Sequence, residues 1–126
     1  MTEICGGKRL ERILLATDFS SVAEVATAYA VGLARHFSST LEAAYVIDLS
    51  SADPTLDVLM EPALDTLRRS GQERMRYVAE GVPGLTVEKK IMEGHHAATV
   101  LVGEAIDACA DVIVLGTSSK HGLRKL

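Results

Sequence analysis

Residues 111–122 read Asp111-Val112-Ile113-Val114-Leu115-Gly116-Thr117-Ser118-Ser119-Lys120-His121-Gly122. An apolar, largely β-branched run stops at a glycine and passes into a small, polar loop. Such a run reads as a strand buried on both faces, the usual condition in a parallel sheet. In open parallel α/β sheets, ligands sit just beyond the carboxyl ends of the strands. A loop of Gly, Thr and Ser lets backbone N–H groups approach a phosphate, because little side-chain bulk stands in the way. The stretch Arg12-Ile13-Leu14-Leu15-Ala16-Thr17-Asp18-Phe19-Ser20 repeats the design, with a carboxylate in the turn. The two strand ends are therefore expected side by side, framing one site.

Working outward, the first strand spans 12–17 and its turn 18–21. Ser21 and Glu24 have the spacing of a capping box. A helix follows to about residue 37, with Val22, Val25, Ala26, Tyr29, Ala30, Leu33, Ala34 and Phe37 as its apolar stripe. The second strand covers 41–49 and ends in the polar segment 50–54, which is expected to be mobile, as is the lead-in 1–9. A second helix is expected from Pro62 to about residue 80, with Leu64, Leu67, Met75 and Val78 facing inward. Its arginines, Arg68, Arg69, Arg74 and Arg76, read as a solvated face. Gly81-Val82-Pro83-Gly84 breaks that helix. Strand 85–92 alternates apolar and charged residues, as an edge strand does. Helix 97–109 presents Ala98, Leu101, Val102, Ala105, Ile106 and Cys109 as its inner stripe.

The order β-α-β-α-β-α-β predicts an α/β fold: a three-layer, doubly wound parallel sheet with right-handed crossovers. The apolar first and fourth runs and the alternating third predict strand order 3-2-1-4, with strands one and four central. A chain of 126 residues suits a single domain over 1–126. The fourth strand is followed by only a short tail, so the further helix and strand that would normally cover it are expected to be missing.

A hydrophobic content of 48% and a charged content of 24% are those of a globular protein. The net charge of −4 argues against a nucleic-acid partner bound through phosphate electrostatics. No apolar run approaches the ~20 residues of a membrane span. The opening Met1-Thr2-Glu3-Ile4-Cys5-Gly6-Gly7 lacks the apolar core of a signal peptide, so a cytoplasmic location is expected. Cys5 and Cys109 read as reduced thiols, Cys109 within the core. His95 and His96 are adjacent, and adjacent residues rarely face one site, so no metal site is assigned. No Gly-x-Ser-x-Gly, His-Glu-x-x-His or Walker-type run occurs, and no nucleophile and base pair points to an enzyme.

With these residues in view, the sequence resembles the universal stress protein family. The resemblance rests on Ile13 to Ser20, on Tyr45-Val46-Ile47-Asp48, on Glu93-Gly94 and on Ala110 to Thr117, in that order and spacing. It implies a doubly wound α/β fold, a homodimer, and a stress-response or signalling role with ATP or a related adenine nucleotide as ligand. Nucleotide binders of the family resemble a pattern of Gly-x-x-Gly, nine residues, then Gly-Ser or Gly-Thr. Here Gly116 takes the first glycine, Ser119 stands at the second, and the closing pair would fall past Leu126. By the same resemblance Asp18 matches the carboxylate that contacts the nucleotide, Val46 the position whose backbone meets adenine, and Leu115 the residue flanking the nucleotide.

The expected nucleotide-binding set is thus Thr17, Asp18, Val46, Leu115, Gly116, Ser119 and Gly122, with weak binding because the phosphate side is altered. Lys120 and His121 add positive charge that suits an anion. Asp18 has two open roles: accepting from a ribose hydroxyl, or serving the positive end of the helix behind it. The competing function is an interaction module of the same fold that binds no nucleotide. An adenylating enzyme of related architecture would need a Ser-Gly-Gly loop after the first strand, where Ala16-Thr17-Asp18 stands.

Overall fold

A computed structural model describes residues 10–50 and 57–117. The lead-in 1–9, most of the polar segment after Leu49, and the tail from Ser118 lie outside the described residues. Strand β1 (Arg12–Ala16) pairs in parallel with β2 (Thr40–Asp48) on one side and with β4 (Val112–Leu115) on the other. β3 (Thr86–Gly94) adds in parallel to the far side of β2, giving the order β3-β2-β1-β4. Helices α1 (Ser21–Phe37), α2 (Asp57–Met75) and α3 (Ala97–Asp107) make the crossovers. The α/β class, parallel sheet and strand order are those expected.

Side chains alternate across a strand. Ile13, Leu15, Leu41 and Ala43 pack with Ala26, Ala30 and Ala34 of α1 and Met75 of α2. The intervening residues Glu42, Ala44 and Val46 face α3. The sheet is therefore the middle of three layers.

Several local expectations are corrected. The N-cap of α1 is Ser20, whose hydroxyl accepts from Ala23 N–H at 3.1 Å, rather than Ser21. The buried ridge of α1 is Ala23, Ala26, Ala30 and Ala34, while Val25 and Tyr29 are exposed. Alanine lets the helix sit close on the sheet, and the larger residues of the apolar stripe fall to the side. α2 starts before Pro62, which lies inside it, and stops at Met75. Tight turns at Val78 and Tyr77 and positive φ at Ala79 and Gly81 end it there, and Leu67 is exposed.

Strand β4 is not buried on both faces. Its residues are half-buried and Leu115 is 58% exposed, because among the described residues no strand pairs its outer edge. α3 is turned relative to its apolar pattern: Glu104 is its buried residue, whereas Val102, Ile106 and Cys109 are exposed. Glu104 accepts from Lys90 Nζ at 2.7 Å and adjoins Glu42, and these partners lie on the sheet. A polar attraction therefore sets which side of α3 faces inward.

The start of α3 is held from outside the helix. Its N-cap, His96, sits at φ 68° with no side-chain cap. Asp48, at the end of β2, accepts from His96 N–H at 3.2 Å through Oδ1 and from Ala97 N–H at 3.1 Å through Oδ2. Oδ1 also accepts from Ser50 N–H at 2.8 Å. The Ser50 hydroxyl and N–H, then the Ala97 and His96 N–H groups, hold the Asp48 carboxyl well below the usual carboxylate range.

Two outcomes are expected. A Cβ on Gly71 would lie 2.9 Å from the Tyr45 ring. Gly71→Ala gains up to ~1 kcal/mol of helix propensity but overpacks the interface at ~1–3 kcal/mol. Denaturant unfolding should show a net loss. Asp48→Ala should speed amide exchange in the first turn of α3 and lower the thermal midpoint, with Asp48→Asn, which keeps one acceptor oxygen, in between. Because the carboxyl is lowered in the folded state, the Asp48 contribution is present above its ordinary range and is lost as pH falls toward the lowered value. Equal exchange in all three proteins would contradict the capping role.

Candidate functional site

The β1 turn builds itself from consecutive side-chain caps. Thr17 N–H donates to Ala44 O at 2.9 Å, extending the β1–β2 ladder past the strand. Thr17 Oγ1 accepts from Phe19 N–H at 3.0 Å, and Asp18 Oδ1 accepts from Ser20 N–H at 3.0 Å. Between them Phe19 takes a positive φ of 66° and packs against Tyr45, the rings tilted at 54° with centroids 4.8 Å apart. Asp18 is left exposed at the mouth of a cleft. The Ser20 hydroxyl and N–H keep its carboxyl below the ordinary range, so it is ionised at neutral pH. No cation pairs with it among the described residues.

The register brings the other parts to the same place. Ala16 lies opposite Ala44 on β2 and opposite Leu115 on β4. Gly116 then passes close to the first turn of α1: an added Cβ would lie 2.7 Å from both Cγ1 and the carbonyl oxygen of Val22. That carbonyl is backbone and cannot swing aside, so the position requires glycine for close approach.

The resulting cleft of about 150 Å³ opens at the carboxyl ends of β1, β2 and β4. Five of the residues singled out in the sequence, Thr17, Asp18, Val46, Leu115 and Gly116, line it together. Ser119 and Gly122 lie outside the described residues. The sequence reading missed the α3 wall, Ala97 and Leu101, and the alanines at the base, Ala16, Ala23 and Ala44. Alternation along β2 signals Ala44, two residues from Val46 on one face; nothing local signals the α3 pair, which depends on how Asp48 and Glu42 seat that helix.

The chemistry of the lining is narrow. Small and apolar side chains form a slot, and Thr17 and Asp18 supply a hydroxyl and a carboxylate at one end. Such a slot can bury a flat apolar group and accept hydrogen bonds from hydroxyls attached to it. Among the described residues there is no cluster of three His, Cys, Asp or Glu that could hold a metal. No helix among them is long and apolar enough to cross a membrane.

Comparison with known proteins adds independent findings. The Universal stress protein family profile matches residues 9–126. A universal stress protein of Methanocaldococcus jannaschii is 29% identical over 128 aligned positions, covering 96% of this chain and 72% of the relative. The solved structure of the universal stress protein UspA from Lactobacillus plantarum is 29% identical, with 90% of this chain and 83% of that chain covered and a TM-score of 0.70. A universal stress protein solved in complex with cAMP shares the fold at 21% identity and a TM-score of 0.53, over 84% of this chain and 71% of that one. A match over nearly the whole length, on a sheet of order β3-β2-β1-β4, places this chain in the universal stress protein family.

Proposed function

We propose that this protein is a stress-response protein that binds an adenine nucleotide, ATP or a close relative, in the cleft at the carboxyl ends of β1, β2 and β4. One observation carries the reading. Thr17, Asp18, Val46, Leu115 and Gly116, far apart in the chain, line one cleft at the point where the sheet reverses its strand order. Ligands of open α/β sheets bind at such a switch point. In the proposed complex the base lies in the slot beside Val46 and Leu101, and the ribose hydroxyls donate to the Asp18 carboxylate. The phosphates then extend past Gly116, and the sequence pattern assigns Ser119 and Gly122 to them. The relative solved with cAMP supports the ligand class.

The cleft holds about 150 Å³, below the ~300–1,000 Å³ usual for ligand pockets. Two backbone N–H groups at the start of α3, those of His96 and Ala97, are already taken by the Asp48 carboxylate, whose charge opposes a second anion there. Both facts favour modest affinity. They also favour the second reading, an interaction module of the same fold that takes no nucleotide. A homodimer and the absence of a chemical step belong to the proposal as well.

Calorimetric titration with ATP, cAMP and adenosine tests it. Saturable binding of at least one adenine ligand is expected, and no heat with any of them leaves the interaction module. Asp18→Ala should weaken binding about 10- to 100-fold, the worth of a hydrogen bond to a charged group, with little change in thermal midpoint because the side chain is exposed. A collapsed midpoint with normal binding by the remaining folded protein would instead make Asp18 a structural residue. Ser119→Gly should improve affinity for ATP more than for adenosine, since only ATP reaches that side. An equal gain for both ligands would count against phosphate contact at that position.

A further inference from the structure

The face of the sheet beneath α3 contains a charged cluster that the cleft does not use. Its centre is Glu42, whose side chain is 1% exposed. From β1 it is faced by Arg12, from β3 by Glu88 and Lys90, and from α3 by Glu104. Arg12 Nη2 donates to Glu42 Oε1 at 2.7 Å and also to Glu88. Lys90 Nζ donates to Glu104 Oε2 at 2.7 Å. Three carboxylates thus share two cations.

The shortfall falls on two buried atoms of the cluster, the donor Arg12 Nε and the acceptor Glu42 Oε2. Glu42 Oε2 is fully buried and no donor reaches it: Arg12 approaches Glu42 through Nη2 on Oε1, its Nε–H is aimed at no acceptor, and Lys90 donates to Glu104. Leaving a buried charged acceptor without a partner is among the costlier faults a native structure can carry. A proton removes the fault. Placed on the Glu42 carboxyl, it turns an acceptor into a donor, and the neighbouring Glu104 carboxylate can accept from it. The cluster is then neutral: Arg12 and Lys90 against Glu88 and Glu104.

We propose that Glu42 and Glu104 share one proton that clamps α3 to the sheet, so that loss of the proton at rising pH loosens α3 and the cleft wall it carries. Burial, and then the neighbouring Glu104, push the Glu42 carboxyl above its ordinary range despite Arg12. Glu104 is held below its own, by the Glu42 partner first and by Lys90 second. The sign follows from linkage. The docked state binds the proton more tightly than the loosened state, so docking is favoured fully below the ordinary carboxyl range. That advantage is lost as pH rises through the raised Glu42 value. Ala97 and Leu101, on the same helix as Glu104, line the cleft, so the loosening reaches the site.

The experiment needs no ligand and therefore stands apart from the nucleotide reading. Amide exchange across α3, corrected for the intrinsic pH dependence of exchange, is followed against pH in the wild type and in Glu42→Gln. The glutamine amide donates to Glu104 at every pH and cannot lose a proton. In the wild type the opening constant of α3 should rise by up to about tenfold per pH unit between the ordinary carboxyl range and the Glu42 midpoint, then level off. In Glu42→Gln it should be flat. Carbon-13 titration of the wild-type side chains, which requires no variant to fold, should place the Glu42 midpoint above the ordinary glutamate range. The same slope in both proteins, or a Glu42 midpoint in the ordinary range, overturns the proposal.

Discussion

β1 is the strand on which the molecule depends. It is hydrogen-bonded in parallel on both edges, and Ile13, Leu14 and Leu15 are 0% exposed. Two-sided pairing satisfies its backbone while both faces are buried, which an edge strand could not achieve. It also makes β1 the place where the sheet changes direction. One crossover leads from β1 to β2, and the later one returns past β1 to β4. Connections to either side of β1 thus meet at the β1–β4 boundary, and a crevice lies open at the carboxyl ends there.

How deep that crevice is follows from small side chains. The alanine ridge of α1 brings the helix close to the sheet, and Gly116 lets the end of β4 pass against the backbone of Val22. A methyl group at Gly116 would force that contact apart. The larger apolar residues of α1 and β4, Val25, Tyr29 and Leu115, remain exposed instead. Close packing tolerates little change in volume, so the positions that shape the cleft are the ones with least side chain.

The opposite layer is assembled on different terms. α3 meets the sheet through Asp48 at its first turn and through Glu104 beside Glu42 and Lys90 further along, more than through an apolar stripe. Buried charges are weak contributors to stability unless fully partnered, but they tolerate few alternative arrangements. Two polar anchors about two turns apart on one helix fix both its rotation and its slide. The wall of the cleft is thereby tied to electrostatics rather than to hydrophobic fit.

Much of this was legible along the chain. Local periodicity marked every strand and helix, because a buried strand and an amphipathic helix impose their repeats on neighbouring residues. The β-α alternation gave the parallel sheet, and the two apolar runs ending in polar turns located the cleft through Thr17, Asp18, Leu115 and Gly116. What the sequence could not carry was the choice among apolar residues on a helix that has too many of them. Val102, Ile106 and Cys109 look like core in α3, yet Glu104 lies inward because Lys90 and Glu42 wait for it on another strand. The capping of α3 by Asp48, the exposure of β4, and the convergence of Ala97 and Leu101 on the cleft are of the same kind. Sequence by itself determined the elements and their order, since those depend on neighbours in the chain. Only the tertiary structure decided which face of each helix turns inward, since that depends on partners brought together across the sheet.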